Sequence, residues 1–260
     1  MTKGKFILLS LCVFMFFLLM HITSEVRGDE SSFMEKFDGA WQGDQEAVTS
    51  LSLLLKAPGS NGFALDHPGK NDFSDHGQSS ELAKILRKKE FGFFIDAHAG
   101  DGENGSVSLL FERHMKWYGL LVEDDYDTFV ELQEKGRNSF AIHAKLSTTD
   151  RMKLTKNSRL LDRTDPANFH WEIPLYSLFK AMGNTEVDLL ILDTTGTELK
   201  ILKTLPWDSV KIKVLCIAYT HIPGNSRSLP EYLSRKGYTL LKTHVKDMFF
   251  VSNEFLWGKK

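Results

Sequence analysis

With 260 residues, 42% of them hydrophobic and 25% charged, the chain suffices for one ordinary globular domain plus extra material and is too short for two full domains. A formal net charge of −2 removes the electrostatic reason to expect nucleic-acid binding, which needs a surplus of Lys and Arg on one face. The two cysteines, Cys12 and Cys216, allow no disulfide within the globular part, and the nine histidines are scattered without zinc-ligand spacing, so no metal is expected.

From Phe6 to Met20 the run "FILLSLCVFMFFLLM" carries no charge and follows Lys3 and Lys5. It reads as the apolar region of a signal peptide or as a short signal anchor. The lysines before it leave the N-terminus cytosolic, which puts the rest of the chain in the secretory lumen or outside the cell. No small-x-small cleavage site follows, which favours a single-pass anchor over residues 1–22; the alternative is a secreted protein. The sequon Asn104-Gly105-Ser106 is then open to glycosylation.

Residues 23–78 are polar and punctuated ("KAPGSNG", "DHPGKND"), with one helix-like patch, "DQEAVTSLSLLLKA", and read as a luminal stalk with some local helix that packs on the domain edge. The domain proper is expected over 79–255. It opens with the serine-capped helical stretch "SSELAKILRKKE", followed by strands at 92–97, 119–123, 140–146, 187–193, 211–219, 238–244 and 247–252. Helices are predicted between them at 106–116, 126–136, 174–182, 197–204 and 229–236. The first five strands are near-continuous apolar runs, as in a parallel sheet covered on both faces, and the last two are close enough to form an antiparallel hairpin. The fold class expected is therefore α/β, a Rossmann-like S-adenosylmethionine methyltransferase fold with a mostly parallel sheet and a C-terminal antiparallel hairpin.

In such a sheet ligands bind beyond the carboxyl ends of the strands. Three strand ends matter. Asp96 closes the first, and Gly100, Gly102 and Gly105 make a loop that either brings backbone N–H groups to a ligand or is simply a structural turn. Glu123 closes the second, where an acid partners a ribose diol or stays solvated beside Asp124 and Asp125. Asp193 closes the fourth, where it contacts a substrate or cofactor, or caps the following helix at Thr197.

The segments "GFFIDAHAGDGE", "FERHMKWYGLLVED", "VDLLILDTTGTELKILKTLPWDSVKIKVLCIAYTHIPG" and "LPEYLSRKGYTLL" together resemble the FkbM-type methyltransferase domain, and more closely its animal, Star-like branch. The likeness runs from about Asp66 to about Val251 and leaves the stalk outside. It implies S-adenosylmethionine as cofactor, with Asp96, Asp101, Gly102, Glu103 and Glu123 on the cofactor side and His98 in the same loop. Bacterial members imply O-methyl transfer; the Star-like branch implies a single-pass membrane protein that assists export of a protein client between endoplasmic reticulum and Golgi.

Three positions depart from the family pattern. His98-Ala99 stands where the family has Gly-Ala, Thr195 stands in place of the glutamate of "D-x-E-G", and Ala218 in place of a glutamate ending the fifth strand. An imidazole occupies space that glycine leaves to the cofactor. Two lost carboxylates remove groups that would orient a substrate hydroxyl, and methyl transfer depends on such positioning. Two readings follow: a membrane-anchored binding or escort protein of the early secretory pathway with degenerate catalysis, or an active S-adenosylmethionine-dependent O-methyltransferase in which Asp193 stands near the reacting end. A secreted α/β domain with neither role is the third.

Overall fold

The computed structural model describes residues 36–156, 169–222 and 227–258. The apolar run at 6–20, on which the expected membrane anchor rests, lies outside them; among the described residues no helix is long and apolar enough to cross a membrane.

Nine strands form a single sheet: β1 (Phe93–Ala97), β2 (Tyr118–Glu123), β3 (Phe140–Leu146), β4 (Lys153–Lys156), β5 (Phe169–Ile173), β6 (Glu186–Leu192), β7 (Lys211–Ala218), β8 (Tyr238–His244) and β9 (Asp247–Ser252). Their order is β4-β5-β3-β2-β1-β6-β7-β9-β8. All pairings from β5 through β7 are parallel, while β9 runs antiparallel to both β7 and β8. This is the expected Rossmann-like methyltransferase fold, with two strands added beyond β3. Those two were missed: β4 is a four-residue edge strand, and "FHWEI" lacks the apolar run that marks its neighbours.

Full burial of β1 and near-full burial of β2, β6 and β7 explains their unbroken apolar sequences. Helices α2 (Gln78–Ile85), α3 (Leu109–Met115) and α4 (Tyr126–Glu134) cover one face, where Leu82, Phe111, Trp117, Phe129 and Leu132 pack on Phe94, Leu121, Leu189 and Cys216. Cys216 is fully buried there, and is the cysteine found among the described residues. By strand alternation Ile95, Leu120, Leu190 and Leu215 face the other side, where α5 (Leu175–Ala181), α6 (Glu198–Thr204) and α7 (Ser228–Arg235) also bury apolar residues. A short α8 (Asn253–Trp257) follows β9. Helix α2 stops five residues short of its predicted end, because Arg87, Lys88 and Phe91 all take left-handed backbone (φ 54°, 52° and 56°).

Residues 39–78, most of the segment read as a stalk, belong with the strands and helices to one compact unit, Gly39–Lys260. The segment before 79 is polar overall, yet its few apolar side chains are spent inward. Helix α1 (Gln45–Leu51), capped by Asp44, buries Ala47, Val48 and Leu51, and Phe73 is 1% exposed. Lys56 bridges to Ala141 on β3, and the Ser177 hydroxyl donates to the Gln42 carbonyl at 2.9 Å. Such pairing satisfies backbone groups that a free stalk would leave to water.

Candidate functional site

Strands β2 and β6 flank β1, so the winding of the sheet reverses at β1 and a crevice opens beyond the carboxyl ends there, the place where doubly wound sheets bind ligands. A cavity of about 190 Å³ sits in it, lined by Ala97, His98, Val122, Asp124, Lys145 and Thr194, among others. Pockets that take drug-sized ligands are roughly 300–1,000 Å³, so this cavity by itself is smaller than that range. A larger groove of about 710 Å³, around Trp207, Lys213 and Tyr238, lies at the amino ends of the strands, away from the crevice.

The loop after β1 is built as a nucleotide loop is built. His98 and Ala99 N–H both donate to the Val122 carbonyl, at 2.8 and 3.0 Å, and Gly100, Gly102 and Gly105 have φ of 60°, 80° and 72°. Glycine is favoured at 102 by its φ of 80°, and a Cβ there would also push Leu132 Cδ1 aside. Beneath the loop lies buried Arg137. Its guanidinium donates to the Gly102 carbonyl, to Ser108 Oγ at 2.9 Å and to both carboxylate oxygens of buried Glu112 at 2.9 and 3.1 Å. Nothing in the sequence marks Arg137 or Glu112 for this task, because they come from different elements and carry no motif.

The predicted site residues divide into two groups. Asp96, His98, Glu123 and Asp193 all stand at or just past the carboxyl ends of β1, β2 and β6, and of the four His98 lines the cavity. Asp96 is buried beneath the loop, and burial pushes its carboxyl up to about 6, against the pull of the Ser108 hydroxyl and Arg137. Asp193, just past β6, pairs with Lys246 at 3.2 Å, and Lys246 in turn reaches Asp75 at 3.5 Å. Neither Lys246 nor Asp75 carries a motif of its own.

Asp101, Gly102 and Glu103 serve the loop itself. The Asp101 carboxylate accepts from the Glu103 and Asn104 N–H groups at 2.8 Å each, an Asx turn. Glu103 is wholly buried; its two oxygens accept the N–H groups of Asp66 and His67 at 2.7 Å each, and Lys135 lies at 3.3 Å. That carboxylate is therefore committed to holding residues 66–67 against the loop.

Glu123 is 1% exposed. Its Oε2 accepts from Gly100 N–H at 2.8 Å, and its Oε1 from Asp124 and Asp125 N–H at 3.0 Å each. A carboxylate offers about four lone-pair sites; three are taken, and a ribose diol needs two. The His98 ring lies over what remains: Nδ1 is 3.8 Å from Glu123 Oε2 and 3.3 Å from Asp124 Oδ1. The Asp124 hydrogen bond, assisted by the Glu123 charge and opposed by partial burial, raises the imidazole to about 9, so it is charged at neutral pH.

His98 holds this position at φ 69°, a left-handed backbone that costs a side chain energy and glycine none. Across the crevice Thr195, a β-branched residue, stands at φ 52°. Gly196 follows at φ 95°, where a Cβ would meet the His221 carbonyl at 2.4 Å. Glu198 Oε1 accepts the N–H groups of Thr194 and Gly196 at 2.8 and 3.1 Å, which shapes this second loop.

No protein-family model matches the chain, and no curated protein matches it. Solved structures do. The METTL16 methyltransferase domain is similar at 14% identity and a TM-score of 0.42, over 67% of this chain and 65% of that one, just under two thirds of its length. A protein of the NADB-Rossmann superfamily from Streptococcus agalactiae is similar at 9% identity and TM-score 0.44, over 72% and 76%. A putative RNA methyltransferase from Pyrococcus horikoshii is similar at 15% identity and TM-score 0.40, over 80% and 99%. At these identities the likeness extends to the fold alone.

Proposed function

We propose that the chain is a membrane-anchored protein of the early secretory pathway, between endoplasmic reticulum and Golgi, whose methyltransferase-type domain binds a protein client and does not catalyse methyl transfer. The observation that carries this reading is the state of Glu123. The acid that would take the cofactor ribose already accepts three backbone N–H groups, and the His98 ring covers the rest of it. The small crevice, and Thr195 and Ala218 where the resembled family has carboxylates, point the same way. The apolar run at 6–20 behind Lys3 and Lys5 supports the membrane placement, and the single-pass, luminal topology with it.

Calorimetric titration of S-adenosylmethionine into the full chain in detergent tests the reading, with a His98→Gly variant alongside. The expected result is no binding by the natural protein and recovered binding by the variant. A tagged chain that sits in the cytosol, or leaves the cell as a soluble product, overturns the membrane part.

One observation favours a second reading, an active S-adenosylmethionine-dependent O-methyltransferase: the crevice lies at the switch in strand order, and Asp193 follows the end of β6 beside it in that order. Micromolar binding by the natural protein, sharply weakened in Glu123→Gln, would decide for it.

A further inference from the structure

We propose that His98, Glu123 and Asp124 form a site for a divalent first-row transition ion, zinc by preference, at the mouth of the sheet. The three residues come from the loop after β1 and from the end of β2 and the position after it, which only the fold brings together. Their donor atoms all lie within 4.8 Å of one another, His98 Nδ1 standing 3.3 Å from Asp124 Oδ1 and 3.8 Å from Glu123 Oε2. An ion bound at about 2.0–2.2 Å to imidazole nitrogen and carboxylate oxygen sets its ligands roughly 3.0–3.6 Å apart. The two His98 separations therefore lie within a few tenths of an ångström of that range, and the two carboxylate donors, within 4.8 Å of each other, close by up to about 1.2 Å through side-chain rotation. The ion takes the place of the imidazole proton, which passes to solvent.

Three independent features make this more than a coincidence of charges. Glu123 is oriented by the N–H groups of Gly100, Asp124 and Asp125, the kind of outer-shell support that fixes metal ligands, and keeps about one lone pair for an ion. His98 is held in a left-handed backbone by a loop whose N–H groups at 98 and 99 are pinned to Val122; strain of that sort persists where the surroundings enforce it and clusters at binding sites. Beside the triad the cavity of about 190 Å³, with Thr194, Thr195 and Lys145 on its wall, has room for water or a small anion to complete the coordination. A nitrogen among the donors selects zinc-like ions over magnesium and calcium, which prefer all-oxygen shells. The site does not depend on whether S-adenosylmethionine binds.

The test uses the full chain in detergent, without a polyhistidine tag and stripped with chelator. Zinc chloride is titrated calorimetrically, with magnesium chloride for comparison, into the natural protein and into His98→Gln and Asp124→Asn. One equivalent of zinc should bind at least tenfold tighter than magnesium, and each variant should weaken zinc at least tenfold while keeping its thermal unfolding midpoint. Equal zinc affinity in natural protein and variants, or no saturable binding, overturns the proposal. The cobalt(II) spectrum of the natural protein gives an answer that needs no variant: nitrogen and oxygen ligation supports the site, whereas thiolate ligation or an unbound spectrum overturns it.

Discussion

Beneath the glycine-rich loop Arg137 meets Glu112 at 2.9 Å with side chains 2% and 0% exposed; above it His98 meets Asp124 at 3.3 Å with side chains 48% and 39% exposed. The lower pair is held by a fork of donors that also grips the Gly102 carbonyl and Ser108, so neither charge has access to water. The upper pair is half solvated and stands on a strained backbone. One loop thus carries two ion pairs of opposite purpose. The lower one keeps the loop in shape, and removing a partner strands a buried charge. The upper one stands at the mouth of the crevice, and its net contribution to folding is small.

The sharpest way to break this comparison is Arg137→Met. With Glu112 left buried and unpaired, the urea midpoint should fall by the equivalent of about 3–5 kcal/mol. Adding Glu112→Leu should recover part of that loss, since replacing both partners with apolar groups of similar volume is far milder. A single variant as stable as the natural protein would mean that the lower pair does not hold the loop.

Thr195→Gly tests whether the crevice stores backbone strain. Relief of a left-handed residue is worth roughly 1–2 kcal/mol, and the added freedom of glycine in the unfolded chain takes back about 0.4–1 kcal/mol. A net gain of between zero and about 1.6 kcal/mol in chemical denaturation is expected. At His98→Gly the same relief is further offset by the lost surface pair, about 0.2–1 kcal/mol, so stability should stay within about 1 kcal/mol of the natural protein. A loss comparable to that of Arg137→Met would erase the distinction between the two pairs.

The smallest effect concerns Asp247, another buried acid at this end, held by the Gln78 amide at 2.8 Å. Burial raises its carboxyl above the usual range. The folded protein therefore holds this proton more tightly than the unfolded chain does. The resulting stabilisation is complete below the unfolded carboxylate value of about 3.9 and is lost as pH rises through the raised folded value. An amide in place of the carboxyl cannot ionise, so the stability margin of Asp247→Asn over the natural protein should widen from pH 4 to pH 7. A margin independent of pH would mean that Asp247 titrates as it does in water.

Most of the sheet was legible in the sequence, because strands buried on both faces must be apolar throughout and helices between them show their own period. "VDLLILD" and "KIKVLCIAY" fall within a residue of β6 and β7. What stayed hidden has a common cause: it depends on contacts between distant residues. The short edge strand β4 carries too few residues for a pattern. The segment from Gly39 to Ser79 looks like a stalk because its buried residues, Val48, Leu51 and Phe73, are thinly spaced in polar sequence. At the crevice, His98 stands out in the sequence where glycine is expected, and in the structure it takes a left-handed backbone with Nδ1 3.8 Å from Glu123. Glu103 could not be told from a cofactor ligand by sequence, since its partners Asp66 and His67 lie more than thirty residues away.

The full burial of Cys216 at the centre of β7 supplies the molecule with a clock of its own. Burial pushes the thiol far from its reactive thiolate form, so a thiol reagent can modify it only in the moments when the sheet parts. The rate of that modification, followed by mass spectrometry, measures the opening of the central strands with no label engineered in, and a ligand seated at the crevice should slow it in proportion to its occupancy.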